Sequence, residues 1–300
     1  MPSYSLGESL LSHYADRIAA LEHRYLVSVL LLGRIPDCEL VFVCSQEPEP
    51  EVIQHYVDCL PEPVRASVRA RLHTIVVDDG SPSPIAEKLL SRPDLIEQMR
   101  RFVASRPGFV EPWNVTEAEV EVARRLGLPL NGTDPSLWPL GFKSSGRRLF
   151  REAGVPMPDG VEDVTDATQV VDAILELQRL DPSLAGVVVK HDDSGSGDGN
   201  VVLDLTGGIG AVQSALAELP AWYLEDLTRG GVVEERVVGG RFTSPSAQVD
   251  LLPDGTVSVL ATHEQVLGGP TSQVYQGCRF PADQAYAAGS RSMPRPSAPR

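Results

Sequence analysis

The sequence predicts an α/β domain built on a parallel sheet, followed by an α+β domain built on an antiparallel sheet. Three observations carry that fold class. Up to about residue 78, short aliphatic runs alternate with amphipathic stretches, the β/α/β rhythm that produces parallel strands. Beyond residue 185, strand-like runs come in pairs joined by glycine-rich or Pro-Asp-Gly turns, which are hairpin signals. Between them Pro129 to Leu140, PLNGTDPSLWPL, is a proline-rich connection that sets a boundary near residue 140. The expected layout is a first domain over 1–140, a second over 141–286, and a tail over 287–300. That tail has three arginines, no acid and no apolar periodicity, the composition of a disordered segment.

In the first domain Leu26 to Leu32, Glu39 to Cys44 and Thr74 to Asp78 read as strands, with Glu51 to Leu60 as an amphipathic helix. The strand ends near Asp78-Asp79-Gly80 are expected to border a cleft for one substrate. Pro84 to Ala104 reads as a helix interrupted at Arg92-Pro93, and Thr116 to Glu119 is a capping box opening a helix that stops near Gly127. In the second domain Ser144 or Ser145 can cap a helix through Glu152, ended by Gly154, which sets Lys143 just before the helix N-terminus. That place suits an anion, although an exposed linker lysine reads the same from spacing alone. Asp166 to Leu180 is amphipathic, with Val170, Ile174 and Leu177 on one face. Gly231 to Val238 reads as a strand whose period of two sends Glu234 and Glu235 to opposite faces. Ser246 to Leu252 and Thr256 to His263 flank Pro253-Asp254-Gly255 as a hairpin, so this half is expected to be mainly antiparallel sheet with few helices.

Composition narrows the function classes. The 300 residues are 42% apolar and 22% charged, with a net charge of −15 and a pI near 4.8. A chain so acidic lacks the positive field that nucleic acid or an anionic membrane requires. The N-terminus lacks the basic-then-apolar order of a signal peptide, and the longest apolar run, Leu26 to Leu32, is far below the roughly 20 residues that span a bilayer. Cys38, Cys44, Cys59 and Cys278 form no C-x-x-C pair; the surroundings of Cys38 and Cys59 lean apolar, as for reduced buried thiols, and a cytoplasmic compartment is expected. The histidines do not cluster with them at zinc-finger spacing.

The chemistry-bearing stretch is Val187 to Leu205, VVVKHDDSGSGDGNVVLDL. A β-branched run ends at Lys190, passes a loop with Gly195, Gly197 and Gly199, and re-enters a second β-branched run at Asn200. Such glycines let backbone N–H groups approach an anion while the lysine supplies a point charge. The loop matches neither GxxxxGK[ST] nor a GxGxxG that opens a helix, so it is expected to tip a hairpin that covers nucleotide phosphates. An ordinary solvent loop has the same composition.

A lysine before a helix (Lys143), a second lysine before a glycine hairpin (Lys190) and an acidic strand (Glu234, Glu235) occur in that order. With VTEAEVEVARRLGLPLNGTDPSLWPLGFKSSGRRLFREAGVPMPDG, VVVKHDDSGSGDGN, PSAQVDLLPDGTVSVLATHEQVLGG and YQGCRFPA, the chain over residues 25–286 resembles the ATP-grasp superfamily, in particular its pheganomycin-type peptide ligases. The resemblance implies a pre-ATP-grasp domain followed by an ATP-grasp domain, with ATP and Mg²⁺ as cofactors. It implies an acylphosphate route that joins a small-molecule or peptide carboxylate to an amine. Lys143 and Lys190 would contact ATP phosphates, and Ser194, Gly195, Ser196, Gly197, Gly199 and Asn200 would form the flap. Glu234 would lie on the hinge strand beside the adenine amino group, with Glu235 and Val237 as hinge neighbours. Where the family often carries a carboxylate for the ribose, this chain has Arg241 nearby.

His263, Glu264 and Gln265 would neighbour the substrate or metal. The family's acidic strand residue and later Glu-x-Asn have no counterpart after Phe280-Pro281-Ala282, where Asp283 is the sole acid. The ATP-grasp domain is therefore expected to be incomplete at its C-terminal end. The alternatives at this stage are a non-catalytic nucleotide-binding remnant and an ATP-dependent small-molecule kinase; the sequence is silent on the oligomeric state.

Overall fold

The structure, a computed structural model, describes the chain apart from residues 5–10, 13, 105, 196, 198, 240–242, 253, 270–273 and 286–300. It divides into two compact units, Met1–Trp138 and Pro139–Arg300. The tail read over 287–300 lies outside the described residues.

In the first unit β1 (Leu40–Cys44) and β2 (Leu72–Val76) pair in parallel, with Leu40 opposite Leu72 and Cys44 opposite Val76. The connection runs through α3 (Pro50–Asp58) and α4 (Glu62–Arg71), after α1 (Ile18–His23) and α2 (Val29–Leu32). The period-two alternation of β1 sends Phe42 and Cys44 to one core layer, with Leu26, Val29, Leu32, Val57 and Val68. Val43 goes to the other, where Ile75 joins Ile85 and Leu89 of α5 (Ile85–Leu90), Ile96 and Met99 of α6 (Pro93–Val103), and Val122 of α7 (Glu117–Leu126). The capping box at Thr116 forms with Glu119, and Gly127 ends α7 at φ 70°.

Several expectations are corrected here. Leu26 to Leu32 is not a strand: a 3₁₀ turn over Arg24–Ser28 leads directly into α2. Leu26, Val29 and Leu32 are buried at a spacing of three, while Val27 and Leu31 are 50% and 56% exposed, a helical pattern of burial that a nearly continuous apolar run hides. The run read over Thr74 to Asp78 pairs two residues earlier, over Leu72–Val76, and Asp78 adopts φ 59° beyond it. Cys44 is the buried thiol, whereas Cys38 is partly exposed and Cys59 exposed.

The second unit opens with α8 (Lys143–Glu152). Its main sheet has the order β3 (Gly160–Val161), β6 (Gly231–Glu235), β4 (Gly186–His191), β5 (Asn200–Asp204), every neighbouring pair antiparallel. A second sheet holds β7 (Pro245–Leu251), β8 (Val257–Gly268) and β9 (Val274–Arg279) in that order. The expectation of few helices does not hold: α9 (Ala167–Leu180), capped by Asp166, is followed by α10 (Gly208–Ala217) and α11 (Ala221–Leu227). These helices cover one face of the main sheet, where Val170, Ile174, Leu177, Val212, Leu216 and Leu227 pack with Val187, Val189, Leu203 and Val233.

Ile174 is fully buried at the centre of that layer. Ile174→Ala is expected to cost about 2–5 kcal/mol, read as a lower urea midpoint at unchanged m.

Candidate functional site

The strand period that sends Val187, Val189 and Val233 into the core sends Val188, Lys190, Val232 and Glu234 to the opposite face. Register adds β5 to that face, because Lys190 stands directly opposite Asn200 and Val188 opposite Val202. The result is an apolar valine floor carrying an ammonium, a carboxylate and an amide.

The loop joining β4 to β5 is held at both ends. At its start the Lys143 ammonium donates to His191 O (2.7 Å), Ser194 O (2.7 Å) and Ser194 Oγ (2.9 Å). At its end Gly199, at φ 77°, lies against His191, and Tyr223 Oη donates to Gly199 O at 3.1 Å. The His191 ring is buried, donates from Nε2 to Tyr223 O at 3.0 Å, and stacks on Tyr223 with centroids 4.1 Å apart. Burial lowers the His191 pKa and so favours the neutral imidazole. A Cβ on Gly199 would lie 2.7 Å from His191 Nδ1. With left-handed backbone strain added, Gly199→Ala is expected to cost about 1–3 kcal/mol, measured by urea unfolding.

Two local expectations are revised. Lys143 is the first residue of α8 rather than the residue before it, and no side chain at Ser144 or Ser145 caps the helix. Asp192, 48 residues away, takes that role: its Oδ1 accepts from Ser144 N at 2.9 Å and from Ser144 Oγ at 2.8 Å. The anion place at this helix N-terminus is thus filled by the chain's own carboxylate. Lys143 therefore offers charge through its ammonium, whose pKa is lowered by burial and further by nearby Lys190.

Glu234 stands between two cations. Arg147 Nη1 donates to Glu234 Oε1 at 2.7 Å, and Lys190 Nζ donates to Glu234 Oε2. Burial pushes the Glu234 carboxyl up, but Lys190 and Arg147 together outweigh burial and hold it below the usual range. Each of its oxygens thus accepts from one cation and keeps a second lone pair. Glu235 instead accepts from Asp159 N at 3.1 Å, and Val237 lies past the end of β6, 55% exposed, because the strand stops at Glu235. Arg147 was invisible as a site residue in the sequence, although it lies one turn from Lys143 on the same helix face. Asp192 and Tyr223 were missed as well, and no local pattern marks their roles.

His263, Glu264 and Gln265 belong to β8 of the other sheet. Glu264 Oε1 accepts from Ser244 N at 3.0 Å and Gln265 Oε1 from Ser244 Oγ at 2.9 Å, while His263 stacks on Phe280 with centroids 5.0 Å apart. Gly195 and Gly197 lie in the β4–β5 loop, Gly197 at φ 89°. Ser196 and the position near Arg241 lie outside the described residues.

Whether these residues suit a nucleotide and a metal can be tested on the polar atoms they leave over. Among the described residues, the buried side-chain atoms with no hydrogen-bond partner are Asn200 Oδ1, His263 Nδ1 and Glu264 Oε2. A buried unpaired acceptor calls for a donor. Asn200 Oδ1, on the face that carries Lys190, calls for a ligand hydroxyl or amino group, while the Lys190 ammonium beside it suits phosphate charge. For a metal the fit is poorer: no group of three His, Cys, Asp or Glu among the described residues could hold one. Glu264 Oε2 is the hard carboxylate oxygen left over.

No family model matches the chain. It is 32% identical over 295 residues to an L-propargylglycine–L-glutamate ligase from Streptantibioticus cattleyicolor, an alignment covering 91% of this chain and 60% of that protein. Among solved structures, biotin carboxylase from Campylobacter jejuni, determined as a β,γ-ATP complex, superposes with a TM-score of 0.56 at 15% identity, covering 84% of this chain and 51% of the other. N5-carboxyaminoimidazole synthetase from Staphylococcus aureus gives 0.52 at 12% identity over 91% and 58%. Likeness at such identities is a likeness of fold. Among the described residues no helix is long and apolar enough to cross a membrane.

Proposed function

We propose that this chain is a member of the ATP-grasp superfamily and an ATP-dependent ligase that joins a carboxylate to an amine in the cytoplasm. The observation that carries the reading is the convergence of Lys143 and Lys190 at the root of a glycine hairpin, beside a valine floor and the unpaired Asn200 amide oxygen. The relative named above supplies the substrate class, amino acids in which one gives the carboxyl and the other the amine. The chain spans 60% of that protein's length, so the assignment of activity, ATP and Mg²⁺ to it is part of this proposal.

ATP supplies the phosphoryl group that activates the carboxylate, and the amide forms as the amine displaces phosphate. The chain's residues bind and shield. Lys190 and Lys143 neutralise phosphate oxygens, and their charges count for more in a site that excludes water. To do so Lys143 exchanges the carbonyls of His191 and Ser194 for phosphate, which couples the flap to the ligand. Gly197 and Gly199, both at positive φ, suit a loop that closes over the phosphates. Glu264, whose Oε2 is an unpaired hard oxygen, would supply one ligand to Mg²⁺.

The test is ADP release with Mg²⁺ and pairs of amino acids, L-glutamate among them. ADP formation that requires both an acid and an amine supports the ligase. Phosphate retained stably on one substrate would assign a kinase, and binding without turnover would leave a nucleotide-binding module.

A further inference from the structure

The two cations on Glu234 differ in how firmly they are held. Arg147 is 6% exposed at its side chain, and besides Glu234 it donates to Pro158 O and to Glu162 Oε1, each at 3.0 Å. It reaches Glu234 across Gly160, the direct cross-strand partner of Glu234 on β3. A Cβ at Gly160 would lie 2.9 Å from Arg147 Nη2 and 2.7 Å from Val233 O, so the guanidinium occupies a slot that only glycine leaves open. Glu162 does not depend on Arg147 alone, since Arg151 also donates to it at 2.6 Å. Lys190 is the looser partner: its side chain is 25% exposed, sits at the flap root and carries an ion pair to Glu234 alone among the described residues.

On the nucleotide reading above, we propose that Arg147 is a positioning residue: seated in the Gly160 slot, it keeps Glu234 neutralised so that Lys190 can exchange Glu234 for a nucleotide phosphate. Glu234 is then the internal anion that holds Lys190 in place until phosphate arrives. A buried carboxylate left with no cation is strongly unfavourable, so without Arg147 the lysine would be trapped on Glu234. With Arg147 in its slot the exchange replaces one anion by another at Lys190 and leaves no buried charge bare.

A thermodynamic cycle in urea tests this without nucleotide. Lys190→Met imitates the departure of Lys190. It is expected to change the unfolding constant by less than about fivefold in the parent chain, but by more than about a hundredfold in the Arg147→Met background, where Glu234 loses its last cation. Equal effects in the two backgrounds would overturn the proposal. Where Arg147→Met fails to fold, Arg147→Met with Glu234→Gln is expected to fold, because no buried carboxylate then needs a cation. Failure of both would show that Arg147 acts by packing alone. Calorimetry with MgATP gives the second readout: Arg147→Met weakens binding by about tenfold or more, and adding Glu234→Gln restores most of it by freeing Lys190. No rescue would overturn the exchange. If the parent chain binds no ATP, the ligase reading fails, while the urea cycle still decides whether Arg147 compensates Glu234.

Discussion

Lys190→Ala is expected to weaken ATP binding by about ten- to a hundredfold, since a charge-assisted contact contributes roughly 1.5–3 kcal/mol. The lower end of that range is the better expectation, because Lys190 already holds a carboxylate and binding exchanges one anion for another. Stability should change little, as Arg147 stays on Glu234. Isothermal titration with MgATP, paired with urea unfolding of the same protein, reads both quantities. Unchanged affinity would remove Lys190 from the site. Equal loss of affinity and fold would make it a structural residue.

The largest stability effect is expected in the first unit. Glu22 on α1 is 1% exposed, and its carboxylate accepts from both Ser45 N and Ser45 Oγ at 2.6 Å. Ser45 in turn receives the Lys88 ammonium at 2.8 Å, and Lys88, 4% exposed, also donates to Asp79 O at 3.0 Å. Burial pushes the Glu22 carboxyl up, against the Ser45 hydrogen bonds and Lys88, and lowers the Lys88 ammonium against Glu22.

Glu22→Ala removes the larger of the two carboxylate charges that favour the buried Lys88 ammonium, Asp79 being the other, and leaves two donors of Ser45 without an acceptor. The expected cost is about 3–5 kcal/mol, seen as a lower urea midpoint. Adding Lys88→Met should recover part of it, since the stranded charge is then gone. A midpoint unmoved by Glu22→Ala would show that water reaches this network. The network ties α1 and α5 to the exits of β1 and β2, so its loss should also loosen the loop at Asp78-Asp79.

Much of the second unit was legible because its signals are local. The glycine loop between two β-branched runs is the β4–β5 hairpin, with Lys190 opposite Asn200. The amphipathic spacing of Val170, Ile174 and Leu177 is the buried face of α9. The helices α10 and α11 were missed because Gly207, Gly208, Gly210 and Pro220 break the helical signal, whereas packing of Val212, Leu216 and Leu227 under the sheet favours helix. Leu26 to Leu32 failed for the opposite reason: a run that is apolar but for Ser28 has no clear period, and the choice between strand and helix fell to the partners it buries against.

By itself the sequence determined the order of elements around the glycine hairpin, the capping box at Thr116, the chain-reversing glycines and the two lysines at the hairpin's root. Each follows from backbone preference and side-chain period within a few residues. The tertiary structure alone decided that Asp192 caps α8, that Arg147 reaches Glu234 from 87 residues away through the Gly160 slot, and that Lys143 ties down the flap. Those pairings join groups distant along the chain, and their strength comes from sharing a buried, low-dielectric place. No local propensity encodes that place; it exists only once the sheet has formed.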